Sequence, residues 1–260
     1  MIASVPSGPR VCVLKADGTN CEIETAHAFK LAGGQAHVVP MNLLRSGAER
    51  LADYDVLALP GGFSYGDDVV SGKVMAVELV SFLADALADF ALARKPILGI
   101  CNGFQVLVRT GLLPFGQLGA MRATLSLNAS GRFECRWVRL RSSGSGPLVQ
   151  GLPEQLELPL AHGEGRFFAD EATLADIETQ GLVALRYVDA MGRPTEQYPE
   201  NPNGAVHAIA GLADPSGRIL GLMPHPERFI SRYQHPAWRL RAADQEPDGL
   251  AFFRQVLYLA

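Results

Sequence analysis

Cysteine is scarce in this chain, and so is charge. Only 4 cysteines occur in 260 residues (Cys12, Cys21, Cys101 and Cys135), and they are scattered rather than paired at close spacing. That pattern excludes a disulfide scaffold and a cysteine-built zinc centre, and it predicts a reducing, cytoplasmic setting. Charged residues make up 19% of the chain, the net charge is −4, and there is no long basic run, so nucleic acid is not the expected partner. Two local arginine clusters, Arg136, Arg139 and Arg141, and Arg228, Arg232, Arg239 and Arg241, are read as solvated faces. No segment reaches the apolar length that spans a bilayer, and Met1 to Pro9 lacks the pattern of a secretion signal. There is no internal repeat and no low-complexity tract.

What is present suits a large core. With 48% hydrophobic residues the chain can bury one substantial α/β domain, expected to run over 1–260. Its first half alternates strand and helix signals. Val11 to Leu14, His37 to Val39, Val56 to Leu59 and Ile97 to Ile100 read as strands. Glu22 to Ala32, Met75 to Ala91 and Gly103 to Thr110 read as helices, two of them stopped by glycine. Interleaving of this kind predicts a mostly parallel central sheet flanked by helices, with reactive groups gathered at the carboxyl ends of its strands.

The second half is richer in strands. Phe133, Cys135 and Trp137 alternate with Glu134 and Arg136, which predicts a half-exposed antiparallel strand with Cys135 on its apolar face. Leu182 to Val188, Val206 to Ala210 and Ile219 to Met223 read similarly. Gly144 to Pro147 reads as a loop, Ser231 to Asp248 as a polar surface excursion, and Gly249 to Leu259 as a closing helix.

Cys101 follows a short apolar strand, sits between small residues, and precedes a helix. A turn of that shape holds a nucleophile out of the sheet, and the positive end of the helix favours thiolate. Against an inert core thiol, the commonest fate of cysteine, this placement favours catalysis. Cys12, inside a strand, and Cys135 are read as structural. His225 and Glu227, two residues apart, point to one side of an extended segment and supply an imidazole with an orienting carboxylate. His162, beside Glu164, is a rival base, and residue chemistry alone leaves the two histidines close. The glycine-rich Gly61 to Asp68 loop follows a strand and is a candidate source of oxyanion-binding N–H groups. It lacks the Gly-Lys-[Ser/Thr] ending of a phosphate loop. Asp17 to Glu22 reads as a strand-to-helix turn capped by Thr19 or Asn20.

Gly99-Ile100-Cys101-Asn102-Gly103 together with Pro224-His225-Pro226-Glu227 resembles the class I, or triad, glutamine amidotransferases. The segments Gly18 to Glu22, Leu59 to Asp67, Cys101 to Gln105, His162 to Gly165, Asn201 to Gly204 and Met223 to Arg228 narrow this resemblance to the glutaminase subunits of phosphoribosylformylglycinamidine synthase, a purine-biosynthesis enzyme. The match runs in order from about Val11 to Arg228. It implies Cys101 as nucleophile, His225 as general base and acid, and Glu227 as its partner. The backbone N–H groups of Gly62 and Asn102 would form the oxyanion hole, with Gln105 and Gly163 in the glutamine pocket. Relatives commonly carry an aromatic residue where this chain has Glu164. The resemblance implies no metal or organic cofactor on this chain. It also implies a partner synthetase subunit that uses ATP and Mg, and a small accessory subunit. Two other readings share parts of the pattern: a glutaminase feeding a different synthetase, and a peptidase, deglycase or redox sensor built on a similar cysteine elbow. The intact His225-Pro226-Glu227 argues against the second of these, and against a catalytically silent binding module.

Overall fold

Nine strands form one mixed sheet in the computed structural model, which describes residues 8–67, 69–144 and 146–260. The parallel part is built from β1 (Arg10–Lys15), β2 (Gln35–Pro40), β3 (Val56–Leu59), β4 (Ile97–Ile100) and β11 (Ile219–Leu222), in the order β2-β1-β3-β4-β11. Beyond β11 the sheet continues antiparallel through β10 (Ile209–Ala213), β9 (Val183–Tyr187), β6 (Glu134–Ser142) and β7 (Gln155–His162). A small antiparallel pair, β5 (Ala123–Ser126) with β8 (Arg166–Ala169), stands apart. The expected parallel core with antiparallel strands from the second half is therefore found. Strands β3 and β4 are buried at every position, which is why they read as unbroken apolar runs rather than alternating ones.

Helices cover the sheet. Helix α1 (Glu22–Leu31) packs on the closing helix α8 (Asp248–Tyr258), where Phe29 and Phe253 meet edge to face at 4.9 Å. Short helices α2 (Met41–Ser46) and α6 (Pro147–Gln150), and α7 (Glu171–Thr179), fill connections. Helix α5 (Asn102–Thr110) lies so close to β3 that a Cβ on Gly103 would stand 1.9 Å from the Leu59 carbonyl oxygen. Only glycine fits there, and the closeness fixes where the helix begins.

Several sequence expectations need correction. Met75 to Ala91 is not one helix but two, α3 (Lys73–Phe82) and α4 (Ala84–Leu92), broken at Leu83. Leu83 leaves helical geometry yet stays buried, so apolar periodicity runs across the break with no glycine or proline to mark it. In β6 the inward face carries Glu134, Val138 and Leu140, while Cys135 is exposed. Pairing of β6 between β9 and β7 sets that parity. The inward Glu134 is satisfied by Arg136 at 2.5 Å and Ser130 at 3.0 Å. Strands β9, β10 and β11 are buried rather than half-exposed, because they lie inside the sheet, and β11 pairs parallel with β4. Val206–Ala208 is a 3-10 turn, so that strand starts only at Ile209.

The arginine clusters depart from a solvated face only in part, since Arg139 and Arg141 are exposed as expected whereas Arg241 is not. Arg241 is mostly buried and bridges Glu157 at 3.0 Å and Asp248 at 3.2 Å, tying the excursion before α8 onto β7. Arg139 and Arg141 are exposed and pair across strands with Glu157 and Glu154. Helix α1 is capped by Cys21 without a side-chain bond, not by Thr19 or Asn20; Thr19 Oγ1 instead accepts from Ala16 N at 3.2 Å. Asp68 and Ser145 lie outside the described residues. Among the described residues no helix is long and apolar enough to cross a membrane.

Candidate active site

Cys101 occupies the joint between β4 and α5 with φ 50° and ψ −103°, a conformation L-residues rarely hold. Its N–H donates to Leu222 O at 2.8 Å and its carbonyl accepts from Gln105 N at 3.1 Å, so both neighbouring elements enforce the turn. The same close contact at Gly103 lets α5 start immediately after Cys101. The helix N-terminus thus faces the thiol.

Strand β11 lies beside β4 in parallel register, so residues following Leu222 arrive next to residues following Ile100. This brings His225 to Cys101. Nδ1 of His225 donates to Glu227 Oε1 at 2.5 Å, and both side chains are buried. Burial opposes charge on the ring. The Glu227 carboxylate and the Cys101 sulfur outweigh it and lift His225 well above its ordinary pKa. The ring is therefore poised to be an imidazolium beside a sulfur nucleophile.

His162, the rival base, also lines the cavity, but both its ring nitrogens are engaged. Nδ1 meets Asn128 Oδ1 at 3.1 Å and Nε2 meets the Asn203 amide at 3.5 Å. Burial, helped by the neighbouring His225, depresses its pKa to about 3. A Cβ on Gly165 would stand 2.1 Å from its Cε1, so the ring is clamped. The Asn201 to Gly204 segment now has a purpose. Asn203 bonds Tyr187 Oη at 3.0 Å and props His162, while Asn201 closes the turn through Gly204 N and Ala205 N.

Gly62 lines the same cavity, with φ +137°. Its loop is strapped to the turn after β1: Cys21 N to Gly61 O at 3.3 Å, Phe63 N to Gly18 O at 3.1 Å, and Tyr65 N to Asp17 O at 2.6 Å. Among the described residues, neither the Gly62 nor the Asn102 N–H has a hydrogen-bond acceptor. The Asn102 side chain ties the loop to α5, accepting from Ser64 N at 3.3 Å and donating to Gln105 Oε1 at 2.9 Å. Gln105 in turn donates to the Glu164 carbonyl at 2.5 Å. Cys101, Gln105, Gly62, Gly163 and His225 thus surround one cavity of about 100 Å³. Asn102 joins them through its bonds to the loop and to Gln105.

Sequence reasoning gave no site role to Cys21, Asp67, Ser71 and Arg228, which also reach this cavity. Asp67 stands beside Ser71, bonded at 2.9 Å. Burial raises its pKa against the pull of those bonds, and Glu164 adds to the rise. Arg228 reaches inward, its Nη2 3.2 Å from Cys21 Sγ and its Nε 3.1 Å from Glu24 and 3.9 Å from Glu227. Cys21 is buried beside His225, and burial raises its thiol pKa. The signal available was that Cys21, Asp67 and Arg228 each lie in a segment that carries the family resemblance. Cys21 Sγ, a His225 ring nitrogen and a Glu227 oxygen lie within 4.8 Å of one another, close enough to share a metal ion.

The family model described as a CobB/CobQ-like glutamine amidotransferase domain matches residues 8–259. The chain is 43% identical over 244 residues to the phosphoribosylformylglycinamidine synthase subunit PurQ of Methanococcus maripaludis, covering 93% of this chain and 90% of that one. It is 43% identical over 246 residues to the subunit of the same name from Dehalococcoides mccartyi, covering 94% of each. The structure of PurLQS from Thermotoga maritima matches with a TM-score of 0.74 at 33% identity, over 96% of this chain and 98% of that one.

Proposed function

The chain belongs to the CobB/CobQ-like glutamine amidotransferases and, within them, to the PurQ subunits of phosphoribosylformylglycinamidine synthase; from that premise we propose that it is a single glutaminase domain that supplies ammonia to a synthetase subunit. The observation that carries the reading is the buried His225–Glu227 pair brought against Cys101 by the β4/β11 register.

The reaction follows from the residues. Cys101 sulfur attacks the side-chain amide carbon of glutamine, and the Gly62 and Asn102 N–H groups receive the oxyanion. His225 gives its proton to the departing ammonia, which leaves a thioester on Cys101. It then takes a proton from water, which hydrolyses the thioester to glutamate and returns the thiol. Glu227 holds the ring and stabilises the imidazolium. Gln105 and Gly163 shape the wall that receives the glutamine chain. Asp67 and the Glu164 carboxylate give the cavity two acidic groups suited to the substrate ammonium. His162 is a structural ring, which supports His225 as the base.

Ammonia in neutral water is mostly ammonium, which is no nucleophile, so the product is useful only when handed over inside a complex. The partner reading is a synthetase subunit that uses ATP and Mg to convert formylglycinamide ribonucleotide to formylglycinamidine ribonucleotide, together with a small accessory subunit, in the cytoplasm. This chain's own half of the reaction calls on side chains and backbone alone. The test is glutamine turnover by the chain with and without that synthetase, ATP and nucleotide. Turnover that rises on assembly supports the proposal; full turnover alone, unchanged by the partner, overturns the coupling and leaves a free-standing hydrolase.

A further inference from the structure

A second sulfur touches the catalytic imidazole and takes no part in the reaction just described. Cys21, at the start of α1, is 1% exposed, and its Sγ shares the space above Gly61 with the Cε1 and Nδ1 edge of His225. A Cβ placed on Gly61 would meet His225 Cε1 at 2.8 Å, Cys21 Sγ at 3.2 Å and His225 Nδ1 at 3.4 Å. Glu227 Oε1 already sits at that edge, while Glu227 Oε2 is buried without a hydrogen-bond partner among the described residues.

We propose that Cys21, His225 and Glu227 form a binding site for a soft divalent cation of the zinc class, and that filling it switches the triad off from the Nδ1 edge of the imidazole. A thiolate, an imidazole and a carboxylate are the ligand types zinc selects, and the sulfur argues against magnesium or calcium. Tetrahedral zinc with ordinary bond lengths holds such atoms about 3.5 Å apart. The three groups already lie within 4.8 Å of one another, and the 2.5 Å contact between His225 Nδ1 and Glu227 Oε1 opens to admit the ion. Cys21 and His225 both line the cavity that admits glutamine, which gives the ion a route.

Binding is an exchange of protons for metal. Cys21 loses its thiol proton to solvent, and the proton on His225 Nδ1, now shared with Glu227, is displaced. An imidazole metallated at Nδ1 holds its remaining Nε2 proton far more tightly than an imidazolium does, so the ring can no longer hand that proton to the departing ammonia. That consequence rests on the reading of His225 as the base; the site itself does not. Arg228 is the built-in competitor, because its guanidinium lies 3.2 Å from the same sulfur and must swing aside. Its side chain is 39% exposed and also pairs with Glu24 at 3.1 Å, a contact that swinging aside would break.

The experiment uses the full chain with Cys101→Ala and Cys135→Ser, which leaves Cys21 as the one thiol near the cavity, and cobalt(II) as the probe. The expected result is one cobalt per chain with a thiolate-to-metal charge-transfer band, displaced stoichiometrically by zinc. Adding Cys21→Ser, or Cys21→Ala where the serine form folds poorly by circular dichroism, should abolish the band and weaken zinc binding by roughly 100-fold or more. Even outer-shell changes at metal sites cost roughly 10- to 100-fold. Arg228→Gln should tighten binding. A band that survives removal of Cys21, or no band in the Cys101→Ala background, overturns the site. Cobalt binding that follows Cys21 while zinc leaves wild-type glutamine turnover untouched keeps the site and overturns the switch, with the role given to His225.

Discussion

His225 and Glu227, two residues apart in sequence, share a 2.5 Å Nδ1–H to Oε1 hydrogen bond, and Arg228 Nε lies 3.9 Å from the same oxygen. A buried carboxylate on Nδ1 fixes the ring and favours its charged form. Removing the ring with His225→Ala should lower glutamine turnover by about 10²–10⁴ or more. Glu227→Gln should lower it less, because the amide keeps the ring's position while losing the charge. Steady-state turnover of both variants checks this. A dead His162→Ala beside an active His225→Ala would exchange their roles.

Gly62 tests the oxyanion hole. A Cβ there would lie 2.7 Å from Asn20 N, and φ +137° is closed to alanine. Gly62→Ala should shift the loop and misdirect its N–H, lowering kcat by roughly 10²–10³ with little change in KM. A change confined to KM would assign the loop to glutamine binding instead.

His162 gives the fold a sensitivity to acid. Its pKa is about 3 in the folded chain, well below that of an unfolded histidine, so the unfolded state binds more protons between those values. Stability is therefore intact above about pH 6.5 and falls as pH drops toward 3, by roughly 1 kcal/mol for each pH unit from this group. Urea unfolding at pH 7 and pH 4.5 should show that His162→Gln loses less stability over this range than the wild type. Equal losses would remove His162 as the acid-sensitive group.

Much of this architecture was readable because buried parallel strands advertise themselves. Val56 to Leu59 and Ile97 to Ile100 are apolar at nearly every position, and Cys101 follows one directly. The antiparallel half was harder. In β6 the parity of Phe133, Cys135 and Trp137 pointed one way, whereas Val138, paired with β7, and Leu140, held between β7 and β9, decided the other. No local pattern carries that information, because register is set by partners distant in sequence. The break at Leu83 was invisible for a similar reason.

At the site, the pairing of Cys101 with His225 and Glu227 was legible as chemistry, but the choice over His162 was not legible from residues alone. What separates the histidines is Asn128 and Asn203 on one ring and Glu227 on the other. Cys21 and Arg228 escaped notice because their meeting joins positions 207 residues apart.

Docking should raise activity. The Gly61 to Asp67 loop is tied to the Asp17 to Cys21 turn by backbone bonds, and Phe63 is exposed at its rim. Partner contact there would aim Gly62 N–H, so kcat for glutamine should rise on assembly more than KM falls. Assays across partner concentrations check it, and a rise carried by KM alone would place the effect in binding.

The most direct measurement is covalent labelling with a diazo-ketone analogue of glutamine, followed by intact mass and peptide mapping. The account predicts one adduct, on Cys101, prevented by excess glutamine and absent in Cys101→Ala, with Cys12, Cys21 and Cys135 unmodified. Labelling chiefly at Cys21 or Cys135, or labelling that glutamine does not prevent, would contradict it.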